Sequence, residues 1–166
     1  MIQEHKSHNQ GYGTLIVYPG NKIGEKVKSG HFVVVREDNK IGNNVSIGSH
    51  SEIAGDVLIE DGVRIHSKVF VAEHSTLRKG CWLGPGVTIG NDKYPNTGGT
   101  YRKGVQIGKG AVIGANATIM ADVGAWAVVG CGSVVVKPVP ENKVVAGNPA
   151  RIINDIGEMD EYNSSE

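Results

Sequence analysis

The chain is short of aromatic residues and cysteine, and its charge has no excess of either sign. Two phenylalanines and two tryptophans among 166 residues are too few to fill the thick interior of a globular sandwich. With 24 glycines, they argue for a thin core of small and β-branched side chains. Seventeen basic residues balance seventeen acidic ones, so no electrostatic footprint for nucleic acid or a membrane surface is present. No apolar run approaches the roughly 18 residues of a spanning helix, and the polar start Ile2-Gln3-Glu4-His5-Lys6 is no signal peptide. The two cysteines, Cys81 and Cys131, lack metal-site spacing. A reduced, cytoplasmic compartment without nucleic-acid or membrane partners is the plain expectation, and the length predicts one domain.

What is present is a period of six. Aliphatic residues stand at 41, 47, 53, 59, 65, 71, 77, 83 and 89. Four places after each of the first eight comes a compact residue: Val45, Ser51, Val57, Val63, Val69, Ser75, Cys81 and Val87. About half of an average sequence is apolar, so nine consecutive hits exceed chance. Six fits neither a helix at 3.6 nor a lone strand at 2. It fits a short strand and a tight corner, repeated, which is a β-solenoid. The frequent glycine after the aliphatic residue (Gly42, Gly48, Gly84, Gly90) reads as a backbone bend at the corner.

The pattern divides the chain. Residues 1–40 read as an N-terminal cap with degenerate first repeats around Ile23-Gly24 and Val33-Val34-Val35. Residues 41–137 form the solenoid, and 138–166 a connector and acidic tail. Between Asn91 and Gln106 turn formers and charges replace the aliphatics, yet Ile89 and Ile107 lie a whole three repeats apart. An inserted loop leaving one corner keeps that phase, and loops on rigid scaffolds are where function tends to sit. After Ile119 the next good match, Val129-Gly130, comes two places early, so a corner there is shortened.

These residues resemble the hexapeptide-repeat acyltransferase superfamily, over about 41–151. The resemblance implies an all-β fold, a left-handed parallel β-helix with 18 residues per coil. It also implies a homotrimer with active sites between subunits. More narrowly, Asn91-Asp92-Lys93-Tyr94-Pro95, Ile113-Gly114-Ala115-Asn116-Ala117-Thr118-Ile119 and Gly147-Asn148-Pro149-Ala150-Arg151 look like N-acetyltransferases of nucleotide-linked amino sugars. Those enzymes use acetyl-CoA as co-substrate, without a metal, to make sugars for surface polysaccharide. By the resemblance, the pantetheine arm of CoA lies between neighbouring coils, near Ala115, Ala121 and Gly130, with Lys137 and Arg151 for the phosphates.

An 18-residue coil stacks residues n and n+18 about 4.8 Å apart. Asp56, His74 and Asp92 then share one outward column, with Gly55, Glu73 and Asn91 beside it. An imidazole between carboxylates is held in one tautomer and made a better base. Transfer from a thioester to an amine uses such a base, because the ammonium must lose a proton. The expected catalytic pair is His74, oriented by Asp92; Asn91, Glu73 and Tyr94 are assigned to the acceptor. Solvated surface polarity is the rival explanation of that column, and a pathway in which the amine arrives neutral is another. His66 and His50 read as structural or solvated. Phe70 and Trp82 occupy outward slots, where a subunit contact, or for Trp82 a stack on Arg64, covers them.

Three other functions stay open. A hydroxyl acceptor makes the chain an O-acetyltransferase. A zinc carbonic anhydrase needs three converging histidines, whereas His66 and His74 fall on different columns. A non-enzymatic scaffold has no use for the interrupted repeat.

Overall fold

The protein was analysed as a computed structural model that describes residues 15–94 and 103–158. Nearly every strand is two residues long, as a six-residue repeat with a four-residue corner requires, and three parallel sheets form the faces of a prism. The first face runs upward through Leu15–Val17, Val33–Val35, Glu52–Ile53, Phe70–Val71, Thr88–Ile89, Thr118–Ile119 and Val134–Val135. The second holds Lys22–Ile23, Lys40–Ile41, Leu58–Ile59, Thr76–Leu77 and Gln106–Ile107. The third begins at Lys28–Ser29 and ends at Lys143–Gly147, which pairs antiparallel with Ala150–Asp155. This is the left-handed parallel β-helix of hexapeptide repeats expected from the sequence.

Every aliphatic slot from Ile41 to Ile89 is buried, and so is every compact slot from Val45 to Val87. They stack into one continuous core, whose stability accumulates coil by coil. Cys81 lies fully inside it, where burial pushes its thiol up to about 12. The parallel ladders extend further than the 41–137 read from the repeat, since Leu15 already pairs with Val33 and Val129 pairs with Val145. The two strands of the connector region are therefore coil and hairpin, not free chain, with a 3-10 turn at Ile156–Glu158. The acidic tail beyond 158 lies outside the described residues.

Two features of the corners differ from the sequence reading. The left-handed residue is the second of each turn pair, for instance Asn44 (φ 56°), His50 (60°), Asp56 (55°) and His74 (64°), not the glycine two places earlier. That glycine answers a need for space instead: a Cβ on Gly48 would lie 2.4 Å from the Ser67 nitrogen of the next coil.

The shortened corner lies between Ile119 and Val123. Val123 stands four places after Ile119, where the period expects a compact residue, but it occupies an aliphatic slot, bridging Ile107 below and Val139 above. Thr118 pairs with Val134, so the coil here is sixteen residues long, and the corner from Val135 to Val139 is shortened in the same way. Both short corners sit directly above the insertion.

The compact slots that carry polar groups are satisfied with one exception. Ser51 Oγ donates to the His66 carbonyl at 3.0 Å and accepts from the Val69 amide at 3.1 Å. Asn39 Oδ1 accepts from the Val57 amide at 2.7 Å. The buried Ser75 hydroxyl has no partner among the described residues, and an unmade hydrogen bond at a desolvated group costs about 1–3 kcal/mol. Ser75→Ala is accordingly expected to raise the unfolding free energy by about 1 kcal/mol, read from the chemical denaturation midpoint.

Candidate active site

The insertion leaves the corner between the first and second faces. Asn91 still sits over Glu73, its Nδ2 donating to the Glu73 carbonyl at 3.3 Å. Thr76, however, pairs with Gln106, thirty places on instead of eighteen. The position over His74 is held by Gly104, whose missing Cβ would lie 1.8 Å from the His74 carbonyl oxygen. The extra residues are therefore 92–103, and Asp92 is the first of them. The two ends close on each other through the Lys103 amide, which donates to the Asn91 carbonyl at 2.9 Å. Residues 95–102 of the expected loop lie outside the described residues.

Below the insertion, His74 Nδ1 lies 3.0 Å from Asp56 Oδ2, with both side chains more than half exposed. Both residues hold left-handed backbone, a conformation in which Asp and His are enriched. The carboxylate that meets the imidazole is thus Asp56, one coil below. Asp92 Oδ1 instead accepts from the Tyr94 amide at 2.9 Å, and Tyr94 is exposed. Glu73, His74 and Asn91 share the corner; Asp92 and Tyr94 carry the chain away from it.

The surroundings pin this corner. Lys93 Nζ donates to the Val136 carbonyl at 2.9 Å, reaching across the two shortened corners above. On the second face, Arg78 donates to Glu60 at 2.8 Å and to Gln106 Oε1 at 3.3 Å, tying the coils below the insertion to the strand that follows it. The Arg78 bond, with the Lys79 amide, holds the Glu60 carboxyl below its usual range. The Gln106 amide in turn donates to Asp122 Oδ1 at 2.9 Å. Arg78, Gln106 and Lys93 carried no signal in the period, since all three are outward or inserted positions.

The residues assigned to CoA divide between two corners. Ala115 and Gly130 stand at the corner between the third and first faces, where the Gly132 amide donates to the Ala115 carbonyl at 2.8 Å. Ala121 and Lys137 stand at the insertion's corner, one coil apart in sixteen-residue register. Arg151 lies on the closing strand opposite Ala146, exposed. Elsewhere, Phe70 is 38% exposed, while Trp82 is half-buried against His66, ring centroids 4.6 Å apart, rather than against Arg64. Among the described residues no three histidine, cysteine or acidic side chains converge as a metal site, and no helix is long and apolar enough to cross a membrane.

Comparison with known proteins agrees with the repeat. The bacterial transferase hexapeptide (six repeats) family matches residues 40–73. Serine acetyltransferase 2 of Arabidopsis thaliana is 48% identical over 48 residues, 28% of this chain and 15% of the plant protein. Among solved structures, a histidine-to-alanine variant of GDP-perosamine N-acetyltransferase from Caulobacter crescentus, in complex with CoA and GDP-perosamine, superposes with a TM-score of 0.55 at 25% identity. The match covers 85% of this chain and 54% of that one. AntD, an N-acyltransferase from Bacillus cereus in complex with dTDP and coenzyme A, shares the fold with a TM-score of 0.69 at 20% identity, over 87% and 90% of the two chains. The chain thus spans about half the length of the Caulobacter enzyme and a small part of the plant one. Its repeat matches the hexapeptide family over residues 40–73, and its fold is similar to that of the Caulobacter GDP-perosamine N-acetyltransferase.

Proposed function

We propose that this chain is a CoA-dependent acyltransferase that moves the acetyl group of acetyl-CoA to the amine of a nucleotide-linked amino sugar. The observation that carries the proposal is the His74–Asp56 pair at the base of the one insertion in the described solenoid. The likeness to an enzyme seen with CoA and GDP-perosamine supports the substrate class. With Nδ1 engaged by Asp56, His74 presents Nε2 to the acceptor ammonium and takes its proton. The freed nitrogen pair attacks the thioester carbonyl carbon, and the carbon–sulfur bond breaks as CoA leaves, protonated to the thiol. Asn91 and Glu73, stacked beside His74, orient the acceptor, with Tyr94 and Asp92 at the start of the insertion flanking it. Ala115, Ala121 and Gly130 offer backbone edges for the pantetheine arm, and Lys137 and Arg151 their cations for its phosphates. A homotrimer in the cytoplasm, serving polysaccharide biosynthesis, completes the reading.

The serine acetyltransferase match gives a hydroxyl acceptor a specific claim. Thiol release from acetyl-CoA, followed with a chromogenic thiol reagent, separates the two. We expect release with nucleotide-linked 4-amino sugars at turnover above about 1 s⁻¹ and none with serine or unmodified nucleotide sugars. Release with hydroxyl acceptors alone would replace the amine reading, and release with neither class would remove both.

A further inference from the structure

The corner between the second and third faces carries an outlier. Its second turn residue, coil by coil, is Lys26, Asn44, Gly62, Gly80, Gly110, Trp126 and Asn142, each with positive φ. Glycine and asparagine suit that left-handed slot, whereas a bulky side chain there is strained. Trp126 nevertheless takes it at φ 59°, and burial does not offset the strain, because the residue is 50% exposed.

Its surroundings are arranged around the ring. Gly110 lies directly beneath, where a Cβ would come within 2.2 Å of two indole carbons, so the coil below has been left bare for the ring to rest on. Lys109 Nζ stands 5.8 Å from the ring centroid. One rung further down, the Lys79 carbonyl accepts from the Gly110 amide at 3.1 Å, placing Lys79 in the same column. Both lysines are exposed, and neither has an ion-pair partner among the described residues. Glu141 stands on the rung above and Asp61 on the rung below Lys79, so the positive stretch is confined to the rungs of Lys109 and Lys79.

We infer that Trp126, Lys109 and Lys79 form a nucleotide subsite, in which a nucleobase stacks on the indole and its phosphates run down the corner to the two lysines. Aromatic faces accept any base by stacking, and the column from Trp126 to Lys79 spans two rungs, roughly 10 Å. The subsite and the His74 corner bound the same face, which the chain crosses in the six residue steps from Gly104 to Gly110, at most roughly 20 Å. A ligand whose reacting group is remote from its base bridges that distance. This rests on the acyl-transfer reading only for the two nucleotides in question, CoA and the sugar donor's nucleoside diphosphate.

The test uses the full chain with Trp126→Asn, which suits a left-handed slot, and Trp126→Phe as the conservative variant. Calorimetric titration is run separately with CoA and with UDP, GDP and dTDP, and unfolding midpoints are recorded alongside. We expect Trp126→Asn to weaken one ligand class by about tenfold or more, Trp126→Phe to restore most of it, and the midpoint to hold or rise as strain is relieved. Loss for CoA alone assigns the subsite to the adenosine end of CoA and moves its phosphates here from Lys137 and Arg151; loss for the nucleoside diphosphates alone assigns it to the sugar substrate. Unchanged affinity for both, or a fall in midpoint that accounts for the loss, overturns the inference and makes Trp126 a packing residue. Nucleotide binding lost on substitution in a protein without acetyl transfer would sustain the subsite while sinking the proposed reaction.

Discussion

His74→Ala is expected to lower kcat for acetyl transfer by about 10²–10⁴-fold, the usual share of a positioned proton acceptor, with little change in unfolding midpoint. The structural cost is small because the imidazole is half exposed and contacts Asp56 at a solvated corner, where an ion pair adds little stability. Asp56→Asn tests the same arrangement from the other side. An amide in place of the carboxylate gives no charged acceptor to Nδ1–H and frees the ring to take its other tautomer. A smaller loss is therefore expected, with His74 still in place. Asp92→Asn should do less again, since that carboxylate caps the Tyr94 amide. Full turnover in His74→Ala, measured by thiol release across the pH range, would mean that the amine arrives unprotonated and that Asn91 and Glu73 do the positioning without a protein base.

The second large effect is expected at Gly104. A Cβ there would stand 1.8 Å from the His74 carbonyl oxygen, 2.1 Å from its carbon and 2.6 Å from the Ser75 nitrogen. All three are backbone atoms, so no rotamer relieves the clash. The second face has to part between Thr76 and Gln106, or the insertion's return has to shift. Overpacking of this kind costs about 1–3 kcal/mol, sometimes more, and for a chain of this size each kcal/mol lowers Tm by roughly 2–4 °C. Gly104→Ala should therefore lose several degrees and most of its acetyl transfer together, because the backbone that carries His74 moves with it. Gly157→Ala, where a Cβ meets nothing within 4 Å, is the control and should change neither. A Gly104→Ala protein with native midpoint and turnover would show that the coil over His74 is not packed as described.

Much of the fold can be read from the period alone. Isoleucines and valines at every sixth place face inward because a three-sided coil offers each strand one inward aliphatic and one inward compact slot, and Cys81 in such a slot is buried like its neighbours. What the period hides are the places where its count changes. The eighteen-residue rule puts Asp92 over His74, but the insertion starts at that very residue, so the rule fails one place too early and Gly104 inherits the position. Val123 satisfies the pattern in two ways, as the compact slot of one repeat or the aliphatic slot of a shortened one, and only pairing with Ile107 and Val139 decides. The first coils are legible only in part: the repeat at Ile23 reads as degenerate, and the rung at Leu15 is hidden because its outward residues resemble an irregular cap, although both backbones already pair in register. Glycine at the corner is legible as a residue but not as a reason, since crowding and left-handed turns select it equally. Trp126 has no signal at all, because turn slots follow no hydrophobic rule.

The hairpin that ends the third face has one more consequence. Parallel ladders are open-ended, and an unpaired rung invites another chain to continue the sheet. Here Lys143–Gly147 receives an antiparallel partner from its own chain, Ala150–Asp155, so a second molecule cannot add a coil to that strand in the orientation of the others. Any continuation of the sheet on that side has to pair with Ala150–Asp155, whose direction is reversed.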